Sequence, residues 1–338
     1  RAGFGDHIIV TRYQDQTIEV QDFGRGCPVD YNNTEKRYNW ELVYCELYAG
    51  GKYDAEGDTY AYSLGLNGLG LCATQFASEF MDVEIFRDGF RYNLHFEHGN
   101  NVGGLKKEPT TQKKTGTRTR WKPDLDVFTD IQIPDEFFHD ILRRQAIVNP
   151  NLLFTYRSQS EDGSFSVREF RYENGITDYV QEIVGDKAMT SIQHWQCEKK
   201  GRDRADKPEY KVRINVALTF SNQIKLTEFY HNSSFLEHGG SPERAVRQAF
   251  VSQIDSYLKQ NSKYLKNESK ITYADIEDCL VLVSSGFSTQ TSYENQTKKA
   301  ITNKFVSQAM TDFLKHYLEV YFLEKPDEAQ KICQQVLV

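Results

Sequence analysis

The chain has 338 residues, 39% of them hydrophobic and 26% charged, with a formal net charge of −7. That length suits two domains with separate cores, and that charge argues against a surface that coats nucleic acid uniformly while leaving room for a local basic patch. No run reaches the eighteen or so apolar residues of a membrane helix and no signal-peptide pattern opens the chain, so the reading is a soluble, cytoplasmic protein without a membrane partner. The six cysteines stand singly, without a C-x-x-C pair or neighbouring histidines, which predicts small buried hydrophobes in a reducing compartment and no metal site. The chain opens at Arg1 and reads as a fragment or processed product.

Two alternating runs, HIIVTRY and QTIEVQD, predict strands separated by a turn at Gln14-Asp15. The stretch NWELVYCELYAGGKYD places Trp40, Val43, Tyr44 and Leu47 at helical spacing, with Gly50-Gly51 closing the run. A glycine-rich segment then leads into an apolar helix at YSLGLNGLGLCATQFASEF. A hairpin turning at Asp88-Gly89, a strand at TGTRTRWKPD, a helix at PDEFFHDILRRQAIVNP and a second hairpin at LLFTYRSQSEDGSFSVREFRY complete the first half. The texture changes near Gly185, which predicts domains at 1–184 and 185–338. Beyond it come strands at TSIQHWQCE and KVRINVALTF, joined by the charged loop KKGRDRADKPEYK. Ser241-Pro242-Glu243 predicts a helix start with a hydroxyl N-cap, proline at the first position and an acid in the first turn. That helix buries Ala245, Val246, Phe250, Ile254 and Leu258. A strand at DCLVLVSSGF and a long helix presenting Phe305, Ala309, Phe313, Tyr317 and Tyr321 follow, the latter broken before Pro326. The class is α+β.

Four motifs carry chemistry. In QDFGRGCPVD, Asp22 ends a strand and is followed by two glycines; a carboxylate there can accept a hydrogen bond from an exocyclic amine while glycines let the backbone pass a flat ring. Alone, the pattern also fits an ordinary turn. GLNGLG, Gly65 to Gly70, opens a helix and offers backbone N–H groups to a polyphosphate. It is neither a dinucleotide fingerprint, in which the glycines precede the acid, nor a Walker loop. TGT, Thr115 to Thr117, lies at a strand edge. In NQTKKA, Gln296 and Lys298 are spaced to point the same way from an extended loop and together suit a γ-phosphate; a plain polar loop before a helix is the alternative.

In this order, QDFGRGCPVD, AGGKYD, GLNGLG, KTGTRTRWKPD, HGGSPERAVRQAF and QTKKA resemble the ATPase and transducer regions of bacterial type IIA DNA topoisomerases, in the B chains of the gyrase or topoisomerase IV kind. The resemblance covers essentially the whole chain. It implies a GHKL (Bergerat) ATP-binding α/β sandwich followed by a transducer domain of the ribosomal-protein-S5 domain 2-like type. Asp22 would accept the adenine amino group, Gly24 and Gly26 would shape the pocket, Arg25 and Pro28 would line its mouth, and Thr117 would hold an adenine-side water network. Gly65, Leu66, Asn67, Gly68, Leu69 and Gly70 would wrap the phosphates, with Lys52 in the lid. Gln296 and Lys298 would reach the γ-phosphate. ATP and Mg²⁺ are the implied cofactors; a homodimer closed by ATP, double-stranded DNA and the A subunit of the topoisomerase are the implied partners. KKGRDRADK and Arg244 or Arg247 are the candidate DNA-facing charges, and solvated surface is the other reading of them.

The sequence departs from the family pattern at Phe23 and Cys27 in the adenine motif, at Leu64 and Asn67 in the glycine loop, where a glycine and the histidine are lost, and at Lys299 and Ala300 after the sensor pair, where one lysine is displaced. The family's general-base glutamate and magnesium-binding asparagine precede AGFGD, where this chain begins. The expectation is therefore an ATP-hydrolysing clamp of a type II topoisomerase whose present chain hydrolyses ATP weakly or not at all. The alternative is a nucleotide-gated dimerisation module with weak or lost hydrolysis.

Overall fold

The computed structural model describes residues 3–49, 68–295 and 297–338. The chain divides into two compact units, Arg1–Glu173 and Asn174–Val338. The boundary lies before the helix Ile176–Val184, not near Gly185 as the change of texture suggests. The reason is burial: Ile176, Tyr179, Val180 and Val184 form one apolar face that packs on the sheet of the second unit. Gly185 ends that helix with a φ of 53° and marks a helix stop, not a domain seam.

In the first unit the described strands are β1 (His7–Arg12), β2 (Ile18–Asp22), β3 (Tyr31–Asn32), β4 (Arg37–Tyr38), β5 (Ser78–Arg87), β6 (Phe90–Glu97), β7 (Asn100–Asn101), β8 (Lys106–Pro109), β9 (Gly116–Pro123), β10 (Leu153–Gln159) and β11 (Phe165–Phe170). The helices are α1 (Asn39–Cys45), α2 (Gly70–Phe76) and α3 (Asp135–Val148). The main sheet runs β11-β10-β1-β2-β9-β5-β6-β7, with β8 also on β6, and β1 with β10 is its parallel pair. The hairpin at Asp88-Gly89 forms as expected, both residues having positive φ of 53° and 78°, the backbone a tight two-residue turn demands.

Register explains how this sheet hides one face. Val10 pairs with Val20, Val20 with Thr119, Thr119 with Val83 and Val83 with Leu94, so one row across five strands is apolar except for Thr119. Tyr44 and Val43 of α1 cover Met81, Val83, Ile85 and Phe96, while Leu142 and Ala146 of α3 cover Val10, Phe154 and Tyr156. The opposite face carries Glu19, Glu84, Arg91, Arg118 and Arg120, tied in part by the ion pairs of Glu84 with Arg91 and Arg118. α1 is shorter than the spacing suggests, because Glu46 is already extended and Leu47 is exposed.

The second unit contains α4 (Ile176–Val184), β12 (Gln193–Gly201), β13 (Tyr210–Phe220), β14 (Leu226–His231), β15 (Ser234–Phe235), α5 (Ser241–Gln260), α6 (Tyr273–Glu277), β16 (Leu280–Ser288), α7 (Lys304–Glu324) and α8 (Pro326–Val336). Its sheet runs β12-β13-β16-β14-β15, with β14 parallel to β16. Val212, Ile214, Val216, Leu218, Leu280 and Leu282 meet α5 and α7 on one face, and α4 covers the other, so the central strands are buried on both sides. The predicted faces of α5 and α7 are inside: Ala245, Val246, Phe250, Ile254 and Leu258 are wholly buried, as are Ala309, Phe313 and Tyr321 to within a few per cent. Pro326, where the sequence breaks α7, also opens α8, an element that the sequence pattern does not announce.

Ser241 is a correction. Gly240, with a φ of 89°, occupies the cap position of α5, and the Ser241 hydroxyl instead donates to the carbonyls of Asn303, at 2.8 Å, and Ile301, at 3.3 Å. Phe250, between α5 and β13, is the most consequential apolar side chain of this layer, fully buried and 6.5 Å from the Phe220 ring. Its truncation in Phe250→Ala is expected to destabilise the second unit by about 3–5 kcal/mol, read as a lower urea midpoint of that unit's transition; a loss below about 1 kcal/mol would contradict this packing.

Candidate functional site

Asp22 is the last residue of β2 and pairs across the sheet with Ile8. Alternation therefore puts its carboxylate in the same row as Ile18 and Val20, on the helix-covered face, where burial raises its pKa. Its Oδ1 accepts the Gly24 N–H at 2.9 Å, and the backbone of Thr117 also bonds to it; both oppose the rise without cancelling it. Among the described residues no lysine, arginine or histidine forms an ion pair with Asp22. A carboxylate offers about four acceptor positions, so capacity remains for a ligand donor. A half-buried acid without an ion-pair partner among the described residues is costly as structure and useful as a recognition group.

The chain after Asp22 is packed closely against β5 and β9. Gly26 has a φ of 86°, and a Cβ there would lie 2.6 Å from the Phe86 carbonyl oxygen. The Gly26 carbonyl accepts from Arg87 Nη1 at 2.8 Å, and the Cys27 N–H donates to Thr117 Oγ1 at 2.9 Å. Gly116, opening β9 with a φ of 140°, comes so close that a Cβ would sit 2.2 Å from the Asp22 carbonyl oxygen. Asp22, Gly24, Gly26, Pro28 and Thr117 are thus brought into one short span of the fold. Arg25 lies beside them with its guanidinium 5.3 Å from the centre of the Phe4 ring, and the substituted Phe23 stacks on His7 at 5.9 Å.

Beneath this span lie groups that the sequence presents as core or leaves without a motif. Tyr44 is almost completely buried, and its hydroxyl bonds to Cys27 and Thr119. Burial pushes the Cys27 thiol up to about 12, so it is a neutral packing group and not a nucleophile. Tyr44 falls on the apolar face of α1 by spacing, which conceals the role of its hydroxyl; Gly116 and Arg87 carry no motif beyond the glycine of TGT.

Of the glycine loop, Gly68, Leu69 and Gly70 are described: Gly68 has a φ of 61°, Leu69 precedes α2, and Gly70 is its first residue, with open space where a Cβ would stand. Lys52, Gly65, Leu66 and Asn67 lie outside the described residues, as does Gln296. Lys298 belongs to the second unit, near the tip of a hairpin-like loop, with a φ of 58°. Burial lowers its pKa, and its Nζ stands 5.9 Å from the centre of the Tyr293 ring. Among the described residues no three His, Cys, Asp or Glu side chains converge as metal ligands.

The first unit's sheet with its half-buried acid at a strand end, followed by a second unit with a mixed five-stranded sheet, is a mixed α+β architecture that matches the GHKL ATPase regions of gyrase B and topoisomerase IV. Residues 175–338 match the DNA gyrase B family model. The chain is 28% identical over 337 residues to the gyrase B protein of Thermotoga maritima, covering 99% of this chain and 52% of that protein, and 29% identical over 342 residues to gyrase B of Streptococcus pyogenes serotype M3, covering 99% and 50%. It spans about half the length of these curated relatives. Among solved structures, the topoisomerase IV ATP-binding domain of Francisella tularensis superposes with a TM-score of 0.75 at 26% identity, covering 99% of this chain and 86% of that one. The 43K ATPase domain of Thermus thermophilus gyrase B, at 20% identity and a TM-score of 0.74 over 99% of this chain and 84% of that one, shares the fold. Across essentially its whole length the chain is thus similar to gyrase B proteins and to a topoisomerase IV ATP-binding domain.

The close approach at Gly116 gives a sharp expectation. Gly116→Ala forces Asp22 aside, so it should lower the thermal midpoint and nucleotide affinity together, whereas Gly70→Ala, placed in open space, should leave the midpoint within about 2 °C of the parent. Equal behaviour of the two variants would refute the geometry.

Proposed function

We propose that this chain is the ATP-binding clamp region of a type II DNA topoisomerase, with the nucleotide held by the first unit and its γ-phosphate read by the second, transducer, unit. The observation that carries the reading is the half-buried Asp22 carboxylate at a strand end, without an ion-pair partner among the described residues, in a span where Gly24, Gly26 and Gly116 let the backbone pack closely around it. It would accept the adenine amino group, while Thr117 orders the adenine-side hydrogen bonds and Arg25 and Pro28 border the ring. Gly68, Leu69 and Gly70, with Gly65, Leu66, Asn67 and Lys52, would enclose the phosphates. Lys298, with Gln296, would contact the γ-phosphate; a lysine whose burial already disfavours its charge gains most from a phosphate partner. Mg²⁺ would accompany the phosphates, and its ligands are not assigned to residues of this chain.

In the wider enzyme, ATP would close two copies of this region around double-stranded DNA and so gate passage through a duplex cut by the enzyme's A chains, in the cytoplasm. The charged loop between β12 and β13 is a weak candidate for the DNA surface, because Lys200 and Arg202 pair with Glu209 and Arg204 with Asp206. The cleft of about 430 Å³ between α5 and α7 is better suited: Arg244, Lys304 and Lys315 line it with one acid, Asp312, and make no ion pair among the described residues. Such contacts predict sequence-independent binding that weakens steeply with salt.

Calorimetric titration with a non-hydrolysable ATP analogue and Mg²⁺ tests the pocket. The parent chain should bind and Asp22→Asn should lose at least about tenfold in affinity, the worth of a hydrogen bond to a charged group; equal affinities would sink the assignment. Lys298→Ala should weaken the ATP analogue but not ADP, and loss of both equally would place Lys298 away from the γ-phosphate.

The pH dependence follows from burial. Asp22 must be ionised to accept the amine, and its folded pKa lies above the ordinary 3.8, so affinity should fall with decreasing pH earlier than for a solvated aspartate. The sign for stability of the unliganded chain is opposite: the contribution is full below the unfolded value and lost as pH rises through the raised folded value. Asp22→Asn should flatten both dependences, and a persistent acid limb in that variant would assign it to another group.

A further inference from the structure

The charged β12–β13 loop contains one residue that does not face solvent. Asp203 turns inward and meets the start of α7: its Oδ1 accepts the Phe305 N–H at 2.9 Å and the Tyr210 hydroxyl at 2.5 Å, and its Oδ2 accepts Asn303 Nδ2 at 3.1 Å. Asn303 is 2% exposed, and its Nδ2 also donates to the Tyr210 hydroxyl at 3.2 Å. A side chain 100 residues upstream thus satisfies the first turn of a helix whose own cap residue makes no side-chain cap bond. Its negative charge also lies at the favourable end of the 21-residue α7 dipole. The contact is close-fitted, because β12 presents Gly201 to Phe305, where a Cβ would lie 2.3 Å from the ring.

The other end of Asn303 faces the loop that carries Lys298. Asn303 Oδ1 accepts the Ser292 N–H at 2.7 Å, at the base of a two-stranded ladder made by Thr302 N–H to the Ser292 carbonyl, a bridge between Tyr293 and Ile301, and Glu294 N–H to the Ala300 carbonyl. Lys298 stands near the tip of that ladder. Its flank is pinned by the Ser234 hydroxyl on the Lys298 carbonyl at 3.1 Å, by His238 N–H on the Lys299 carbonyl and by Ser241 N–H on the Ile301 carbonyl. At the base, one side-chain anchor into the rest of the unit runs through Asn303 to Asp203, beside those from Asn232 Nδ2 to Thr291 Oγ1 and from the Tyr293 hydroxyl to the His231 carbonyl.

We propose that Asp203 is a positioning residue for the Lys298 loop, acting through Asn303, so that the β12–β13 turn fixes where this loop leaves α7. The value of that position rests on the reading of Lys298 as the γ-phosphate contact; the mechanical link does not. Asn303 donates to one neighbour and accepts from the other, a polarity that an amide supplies and an ionised carboxylate does not. Placing a second carboxylate there opposes Asp203, and exchanging the two side chains restores one acid, one amide and both hydrogen bonds.

The test compares the parent, Asp203→Ala, Asn303→Asp and the double variant Asp203→Asn/Asn303→Asp in the full chain. Hydrogen–deuterium exchange of the segment 292–302 should accelerate about tenfold in each single variant and return close to the parent rate in the double variant, with β13 amides unchanged throughout. A double variant no better than Asn303→Asp, unaltered exchange in Asp203→Ala, or acceleration spread equally over β13 would overturn the proposal. The ratio of affinities for a non-hydrolysable ATP analogue and ADP is read in the same proteins and in Lys298→Ala. It should fall in Lys298→Ala and Asn303→Asp and recover in the double variant. A ratio that moves in Lys298→Ala but not in Asn303→Asp overturns the positioning role. A ratio unmoved by Lys298→Ala, with the exchange pattern as predicted, overturns the γ-phosphate reading and leaves the Asp203 link standing.

Discussion

A single half-buried carboxylate constrains much of the first unit. Asp22 ends a strand on the apolar face of a sheet, where ionisation is opposed, and on the proposed function it would still present oxygens to a ligand. The adjacent structure answers that demand. Backbone N–H groups of Gly24 and Thr117 turn onto the acid, glycines remove Cβ atoms that would strike it or its strand, and Ile18 and Val20 of its own row join Val10 in the apolar layer under α3. On the opposite face of the same sheet the acid Glu84 is instead neutralised by Arg91 and Arg118 of the neighbouring strands.

The second unit solves a different problem, that of holding a lysine at the tip of a loop. A lysine there loses hydration, which lowers its pKa. The loop resists collapse because it is a hydrogen-bonded ladder and because its base is tied to α7 and to the β12–β13 turn by Asp203, Tyr210 and Asn303. Burying these polar groups is tolerable because each is paired: the Tyr210 hydroxyl donates to Asp203 and accepts from Asn303, and that acid, with burial, raises the phenol's pKa. Ser241 joins the same cluster, so α5, α7 and the loop begin from one packed node.

Much of this is legible in the residues. Alternation marks β1, β2, β5, β6, β9 and β13; helical spacing marks the buried faces of α5 and α7; the order of six short motifs points to the family. What is not legible depends on partners distant in sequence. The domain boundary differs from the change of texture because α4 covers a sheet formed later in the chain, and composition does not report which sheet a helix will cover. Ser241 resembles a cap because the local pattern of hydroxyl, proline and acid is that of a cap, yet an acceptor at Asn303 takes its proton. Asp203 sits in a charge run and reads as solvent, while Tyr44 has helical spacing and reads as core. For these three side chains a long-range hydrogen bond decides the role, and local periodicity carries no information about it.

The central claim is that Asp22 reads the exocyclic amine of adenine. The most direct measurement is a calorimetric comparison of a non-hydrolysable ATP analogue with the same analogue dimethylated at the exocyclic nitrogen, which removes the donor and keeps the ring and phosphates. The account predicts a loss of about tenfold or more for the dimethylated compound, in line with a hydrogen bond to a charged acceptor. Equal affinity for the two would mean that the phosphates and ring stacking carry binding and that Asp22 serves the fold alone.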